Sequence, residues 1–343
     1  MKFNLESVLQ MEKEIDGFVD DLETAVSMDS GIGRHYDRVL ICGMGASAIG
    51  GEILANSMYY SSKISVETAK TMALPSWIDG DTLVVACSYS GNTFETVSMY
   101  EMAAAAGLDT MAVTAGGRLG ELAEADGSLL MRIEGRPIQP RSALGWFIGM
   151  LTVIIGDAGG PDQREYIKSI LPNLRGYREG FGEEGSLPRR IADGLDGRTP
   201  IIYGVPNMAA AAMRWKTQIN ENSKLLAFSG IMPEFNHNEI IGWCKDPGQS
   251  RFLPIIINER SDTEITKTLN ATLKSLVDNG VDPIVIDTVG DTLLERTIYA
   301  LMMGDYTSLY LAAGLGINPL NVDPIVDVKR HLMDECRQPG RQG

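Results

Sequence analysis

Three hydroxyl groups are concentrated in the turn CSYSGNTFET (87–96), which directly follows an apolar run. The hydroxyls belong to Ser88, Ser90 and Thr93, and Gly91 and Asn92 stand between them. If a helix begins here, its free N–H groups, its dipole and these hydroxyls could together bind a phosphate without a lysine. One hydroxyl is enough to cap a helix, so three favour a bound anion over a plain N-cap.

A second turn, GMGASAIGGE (43–52), is rich in glycine and also lies between an apolar run and a helix-like segment. Its Gly45 and Ser47 are candidates for binding the same anion, because backbone N–H groups at such a turn point toward a ligand. Dinucleotide-binding proteins have a similar turn, but they place an acidic residue after the second strand. Here the segment SVETAK offers only Glu67, at approximate spacing, which argues against a nucleotide.

Two polar segments in the second half of the chain contain candidates for acid–base chemistry. In QINENSKLLAF (218–228), Glu221 stands among Asn and Ser residues, where a carboxylate could be partly desolvated. In MPEFNHNEIIGW (232–243), His237 and Glu239 belong to a polar cluster between apolar residues, and such a cluster needs hydrogen-bond partners. The alternatives are a solvated carboxylate at a helix end for Glu221 and a buried histidine satisfied by its Asn neighbours for His237.

Arg141 lies in RPIQPRSALGWF (136–147), where it follows a proline and precedes an apolar helix-like segment. Prolines restrict the backbone, so a rigid guanidinium at this position could stabilise a developing negative charge. An ordinary capping or ion-pairing arginine is the alternative, and Arg136 in the same segment is a rival candidate.

The elements that must hold these residues are short apolar runs that alternate with helix-length segments. RVLICG (38–43), TLVVACSY (82–89) and TMAVTA (110–115) are continuous apolar runs, typical of strands in a parallel sheet covered on both faces. The same order repeats in the second half, in the segments 199–215, 251–269 and 281–288. The sequence therefore predicts an α/β protein with two mostly parallel sheets of one doubly wound, flavodoxin-like topology.

The predicted domain boundary lies in the polar stretch near 156–165. It gives an N-terminal domain of residues 1–156 with the phosphate-binding turns and a C-terminal domain of residues 164–343 with the acid–base residues. The N-terminal helix and two C-terminal helices, about 291–314 and 324–337, are expected to clasp the two halves together.

Composition and charge exclude several classes of partner. The 343-residue chain is 44% hydrophobic and carries a net charge of −15, which does not suit nucleic acid or an anionic membrane. It has no apolar run of membrane-spanning length, and its N-terminus is too polar for a signal peptide. Four cysteines without a CxxC pair predict reduced cytoplasmic thiols, and three widely separated histidines predict no metal site.

GMGASAIGGE and SYSGNTFET resemble the two signature turns of SIS (sugar isomerase) domains. Over essentially its whole length, the chain resembles the bifunctional phosphoglucose/phosphomannose isomerases of the SIS class. The equivalent turn in the second half, INERSDTEIT, has lost the glycine and most hydroxyls, so the first domain is expected to bind the phosphate.

The resemblance also implies roles for single residues. The family has a glutamate base in an ENxK-like stretch and a ring-opening histidine in an NHNE stretch, and both stretches are intact here around Glu221 and His237. Arg141 matches an arginine expected to stabilise the enediolate. Lys329, in NVDPIVDVKRHL (321–332), matches an active-site lysine that would assist His237, although most lysines are surface residues. Glu239 is the reserve base.

The implied reaction interconverts glucose 6-phosphate, and mannose 6-phosphate, with fructose 6-phosphate through a cis-enediol. The phosphate would be bound by Gly45, Ser47, Ser88, Ser90 and Thr93, and no metal or other cofactor is required. The alternatives are another SIS sugar-phosphate isomerase or a non-catalytic sugar-phosphate sensor. A sensor would usually carry a basic helix-turn-helix module, and this chain has no spare basic domain.

Family resemblance further implies a homodimer whose sites lie at the subunit boundary. The helix-like segments 144–156 and 297–316 are apolar nearly all round. Such segments are buried on more than one side. They could form a two-fold interface, with His237 reaching the neighbouring subunit's site, or they could simply fill the two domain cores.

Overall fold

The first half of the chain forms a parallel sheet with helices on its faces. The computed structural model describes residues 5–135, 138–195, 197–260 and 264–337, with only the backbone for 333–337. The elements of the first half are α1 (Leu5–Asp16), α2 (Phe18–Val26), β1 (Arg38–Gly43), α3 (Ala46–Met58), β2 (Ser65–Ala69), β3 (Thr82–Cys87), α4 (Phe94–Ala105), β4 (Thr110–Thr114), α5 (Gly117–Asp126), β5 (Leu129–Arg132), a 3-10 turn (Pro140–Ala143) and α6 (Leu144–Asp157). The five strands pair in parallel in the order β2-β1-β3-β4-β5.

The second half repeats this construction with four strands. Its elements are α7 (Arg164–Gly182), α8 (Leu187–Gly194), β6 (Thr199–Gly204), a 3-10 turn (Pro206–Met208), α9 (Ala209–Ser223), β7 (Phe228–Ile231), a 3-10 turn (Glu234–His237), α10 (Glu239–Lys245), a 3-10 turn (Gln249–Arg251), β8 (Phe252–Asn258), α11 (Glu264–Asp278), β9 (Ile284–Asp287), α12 (Leu293–Gly314) and α13 (Asp323–Arg337). The strands are again parallel, in the order β7-β6-β8-β9. The prediction of an α/β fold with two parallel, helix-flanked sheets is confirmed.

The central strands owe their positions to continuous apolar sequence. Every residue of β3 and β4 is buried, and β1 is buried after its first residue. A parallel strand covered on both faces needs this pattern. The edge strand β2 has exposed and half-buried residues in alternation, and it shows no apolar run.

Helices α6 and α12 lie at the centre of the molecule. Residues 144–155 of α6 are all buried, as are residues 297–298 and 300–312 of α12. Helix α6 packs on α2 and α3, and α12 packs on α9, α8, α7 and α1. Because one chain already buries both helices, the expectation that they form a two-fold interface is wrong. They fill the core instead.

The C-terminal helix α13 behaves differently from α12. All residues from Asp323 to His331 are exposed, among them Ile325, Val326 and Val328, which are 41%, 54% and 67% exposed. The expectation that this helix clasps the two halves is therefore not met within a single chain. In the part of the chain that the structure describes, no helix combines the length and apolarity needed to cross a membrane.

A buried ion pair joins α9 to α12. Arg214 donates to both carboxylate oxygens of Asp305, from Nε at 2.8 Å and from Nη2 at 2.7 Å. The two side chains are only 2% and 6% exposed. A buried charge without its partner is strongly destabilising, since neither water nor another group compensates it.

Asp305→Ala is expected to lower the free energy of unfolding by about 3–5 kcal/mol, because it leaves the Arg214 guanidinium buried and unpaired. The measurement is urea unfolding followed by circular dichroism. Asp278→Ala, which removes the exposed partner of Lys274, is the control and should cost less than about 1 kcal/mol. Equal effects of the two variants would contradict the assigned role of the buried pair.

Candidate active site

The predicted phosphate-binding turns meet where the strand order of the first sheet reverses. Strand β1 is paired with β2 on one side and β3 on the other, so the connections after β1 and β3 leave the sheet at a topological switch point. In open α/β sheets, ligands bind at this point, beyond the carboxyl ends of the strands. Gly43 and Cys87, the last residues of the two strands, are register partners. The two turns are therefore neighbours.

The turn after β3 presents its hydroxyls close together. Ser88 is 2% exposed and donates a hydrogen bond from its hydroxyl to Thr93 Oγ1 at 3.0 Å. Thr93 is the N-cap residue of α4, but its side chain makes no capping hydrogen bond. Ser90 is exposed, and its hydroxyl accepts a 3.3 Å hydrogen bond from the backbone N–H of Asn92. The plain N-cap interpretation therefore does not account for Thr93.

Glycine is required within this turn. Gly91 has a φ of +66°, and a Cβ atom there would lie 1.7 Å from the carbonyl oxygen of Gly116. No larger residue fits in that space. The turn after β3 is thus locked against the turn before α5, which holds the hydroxyls in place.

The turn after β1 supplies a second open helix start. Gly45 occupies the N-cap of α3 with a φ of +56° and no side-chain cap. Ser47 follows in the first turn of α3 and is 6% exposed. The two turns together present two helix N-termini without side-chain caps and several hydroxyls, which is a cradle suited to an anion. We call Gly45, Ser47, Ser88, Ser90 and Thr93 the anion cradle.

Arg141 is buried beside Glu221. The Arg141 side chain is 4% exposed and lies in the 3-10 turn that precedes α6. Its Nη1 is 3.6 Å from Oε2 of Glu221, whose side chain is 30% exposed. Burial lowers the pKa of Arg141, and attraction by Glu221 partly opposes that shift. An accessible carboxylate next to a buried guanidinium can exchange a proton with a ligand.

The remaining contacts of Arg141 come from four positions along the chain. Nε donates to Asn222 Oδ1 at 2.9 Å, and Nη1 donates to Gln139 Oε1 at 3.2 Å. Nη2 donates to the Pro319 carbonyl at 2.7 Å and contacts Met11 Sδ at 3.5 Å. These contacts hold the guanidinium rigidly and use each of its three nitrogens.

Glu14, on α1, fixes the backbone on either side of Arg141. It is 6% exposed, and its Oε2 accepts hydrogen bonds from the Gln139 backbone N–H at 2.8 Å and from the Ser142 hydroxyl at 2.9 Å. Nothing in the sequence signals this role, because Glu14 stands in an amphipathic helix where a glutamate usually faces solvent. Only the tertiary contact identifies it.

A hydrogen bond connects the turn that contains Ser88, Ser90 and Thr93 with the segment that contains Arg141. The backbone N–H of Ile138 donates to the hydroxyl of Tyr89 at 3.1 Å, and Tyr89 directly follows Ser88. The structure therefore brings the cradle, Arg141 and Glu221 into one connected region, although they come from distant parts of the sequence.

Other predicted residues are not brought to this region. His237 is exposed at the end of a 3-10 turn, and Lys329 is exposed on α13. The reserve base Glu239 accepts a 2.6 Å hydrogen bond from the hydroxyl of Tyr203, and burial raises the pKa of that tyrosine. The rival arginine Arg136 lies outside the described residues.

Lys224 is a further residue of this region that the sequence analysis did not single out. Its Nζ lies 3.1 Å from the Pro319 carbonyl, which also accepts from Arg141. Among the described residues, no group of three or more His, Cys, Asp or Glu side chains is placed to hold a metal ion. The chemistry that this region supports is proton transfer on a small anionic ligand.

Comparison with known proteins gives relatives over nearly the whole chain. The family described as "Bacterial phospho-glucose isomerase C-terminal SIS domain" matches residues 185–332. A bifunctional phosphoglucose/phosphomannose isomerase from Caldicellulosiruptor bescii is 37% identical, covering 88% of this chain and 91% of the relative. One from Aquifex aeolicus is 31% identical, covering 94% and 98%.

The fold is similar to that of a solved structure. A hypothetical protein from Thermus thermophilus superposes with a TM-score of 0.75 at 15% identity, covering 98% of this chain and 92% of the other. This likeness supports the architecture alone, whereas the two sequence relatives are 31% and 37% identical over 94% and 88% of the chain. The chain therefore belongs to the bifunctional phosphoglucose/phosphomannose isomerase family.

Proposed function

We propose that this protein interconverts glucose 6-phosphate, and mannose 6-phosphate, with fructose 6-phosphate. The observation that carries the proposal is the connection of an anion cradle to a carboxylate–guanidinium pair. A sugar phosphate has an anionic group at one end and an exchangeable carbon-bound proton at the other. The cradle suits the first and Glu221 suits the second.

In this proposal the cradle holds the phosphate and leaves C1 and C2 of the open sugar facing Glu221. The Glu221 carboxylate takes the proton from C2 and returns it to C1, while the hydroxyl proton on O2 passes to O1, so that C1 gains the hydroxyl and C2 becomes the carbonyl. Arg141 stabilises the negative charge that develops on the cis-enediolate. His237, assisted by Lys329, opens the sugar ring before these steps.

The same intermediate explains why two aldose phosphates would be accepted. Glucose 6-phosphate and mannose 6-phosphate differ only in configuration at C2, and C2 is planar in the enediol. Either epimer therefore leads to one intermediate and to one ketose product. The steps use only side chains of this protein and no metal or cofactor.

We also propose the division into domains of residues 1–156 and 164–343, with the site at the seam between them. The first would bind the phosphate, and the second would supply the base and the ring opener. We infer a cytoplasmic location, which is supported by the buried free thiols of Cys42 and Cys87.

The activity is tested by incubating the purified protein with each aldose phosphate and measuring fructose 6-phosphate with a coupled enzymatic assay. Both substrates should be converted, at rates that EDTA leaves unchanged, because no step needs a metal ion. Activity lost in EDTA and restored by zinc would contradict this mechanism. Failure to form fructose 6-phosphate from either aldose would contradict the proposed function.

Glu221→Gln is expected to lower kcat by roughly 10²–10⁴ or more with little change in KM, since it keeps the shape of the side chain and removes the proton acceptor. Glu239→Gln is the matched control, because Glu239 is the reserve base. Its carboxylate accepts a hydrogen bond from Tyr203 and does not lie beside Arg141. If Glu239→Gln loses activity and Glu221→Gln keeps it, the two assignments must be exchanged.

We further propose that the protein acts as a homodimer with sites shared between subunits. Two features support this: His237 and Lys329 are exposed away from the Arg141–Glu221 pair, and the exposed α13 carries apolar residues, including Ile325 and Val328. A partner subunit would cover this helix and bring His237 to the neighbouring cradle.

Co-refolding an inactive Glu221→Gln chain with an inactive His237→Ala chain should restore about a quarter of the wild-type activity. Half of the dimers would be mixed, and one of their two sites would be intact. Light scattering of the wild-type protein should give the mass of a dimer. A fully active monomer would end the dimer proposal, and a dimer without restored activity would place both residues in one chain.

A further inference from the structure

Lys224 adopts a backbone conformation that lysine rarely uses. It is the first residue after α9, at the C-cap, with a φ of +55° and a ψ of +25°. Glycine, or sometimes asparagine, usually occupies a left-handed position at the end of a helix. A lysine in this conformation carries a conformational cost.

The Lys224 side chain turns back onto the end of its own helix. Its Nζ contacts the backbone carbonyl of Glu221 and lies 3.1 Å from the backbone carbonyl of Pro319. The Pro319 oxygen also accepts the 2.7 Å hydrogen bond from Nη2 of Arg141. One carbonyl group therefore joins two cations, and both cations lie beside Glu221.

The two cations differ in the number of N–H donors that their contacts with described residues leave unused. Each nitrogen of Arg141 is already engaged with protein atoms, and its side chain is only 4% exposed. The Lys224 ammonium has three N–H donors, and its contacts with described residues use two of them. Lys224 also lines an open cleft of about 430 Å³ that continues along α9 past Lys216.

We propose that Lys224 is a positioning residue of the isomerase site, whose ammonium holds Glu221 and Arg141 in place through the Pro319 carbonyl and adds a second positive charge beside the base. This inference rests on the proposed function. The positive charge matters most when negative charge develops on the enediolate, so its loss should affect the chemical step more than substrate binding.

The charge on Lys224 depends on pH within the range used for assays. Burial, followed by repulsion from Arg141, lowers the pKa of Lys224 to about 8, although attraction by Glu221 opposes the shift. Arg141 faces the ammonium from the 3-10 turn and Glu221 from its own helix, while the 319 segment presents only a carbonyl. Below about pH 8 Lys224 is charged, and above about pH 8 it becomes neutral. Activity should therefore fall as the pH rises through this value.

Two variants of Lys224 distinguish the effect of its charge from the effect of its backbone conformation. Lys224→Asn removes the charge with a residue that tolerates left-handed φ, so folding should be preserved. Lys224→Arg keeps a positive charge to beyond about pH 12. The matched control is Lys216→Asn, which removes a lysine of the same cleft from α9, the helix that ends just before Lys224.

In wild type, kcat should decline above about pH 8. Lys224→Asn should lower kcat at about pH 7 by about tenfold or more with KM changed less than about threefold, and should show no decline near the wild-type pKa. Lys224→Arg should recover most of the activity at neutral pH and also lose the decline. A wild-type kcat in Lys224→Asn, or an unchanged alkaline decline in Lys224→Arg, would overturn the proposal.

A second measurement does not depend on turnover. A limiting amount of an amine-reactive ester at about pH 8, followed by peptide mapping, should modify Lys224 before Lys216, because the lowered pKa of Lys224 leaves much of its amine in the nucleophilic neutral form. Equal modification of the two lysines would overturn the assigned environment of Lys224. If the wild-type protein converted neither aldose phosphate, the proposed function would be wrong. The reactivity of Lys224 would still test, independently of turnover, whether its ammonium has the environment assigned to it.

Discussion

The burial of one guanidinium organises the site. Removing a cation from water costs several kcal/mol unless hydrogen bonds and an opposite charge compensate it. For Arg141 this compensation comes from α1, from the end of α9 and from the segment that follows α12. None of these elements can move without exposing the charge or leaving it unpaired. The position of the proposed base is therefore tied to both halves of the chain.

The two sheets share a topology but differ at the turn that follows their first central strand. After β1, Gly45 leaves the N-cap of α3 open. After β6, Pro206 stands at the corresponding place and begins a 3-10 turn. The helix start with a glycine N-cap in the first half is thus replaced by a 3-10 turn in the second. Duplicated folds can separate binding from chemistry in this way, since one copy keeps the cradle and the other is free to change.

The sequence predicted the elements that are buried on every side. Strands β1, β3 and β4 are continuous apolar runs because both of their faces are covered, and α6 and α12 are apolar all round because they lie in the core. Three of the four edge strands, β2, β5 and β7, gave no such signal, since most of their residues are only partly buried or exposed. The apolar character of α6 and α12 showed that they are buried but not by which chain, so it could not distinguish a two-fold interface from the core.

Within the site, the sequence predicted the residues that are neighbours in the chain but not the contacts between distant residues. The anion cradle could be predicted because its hydroxyls and glycines are neighbours in sequence. The contact between Arg141 and Asn222 spans 81 positions, and no local pattern encodes it. Glu14 is more distant still from the residues that it holds, since it lies 128 positions before Ser142. These residues are ordinary in type, and their importance comes only from burial.

The same network explains why the end of α9 is a suitable place for a base. Asn222 and Ser223 donate to the hydroxyl and the carbonyl of Ser308 on α12, at 2.9 and 2.7 Å. Residue 221 therefore stands on a backbone that cannot fray, although helix ends usually do. Its own side chain is left partly accessible, while Asn222 and Ser223 are buried. A rigid backbone with an accessible carboxylate lets the proton acceptor meet a ligand without reorganisation of the protein, which is the condition for efficient proton transfer.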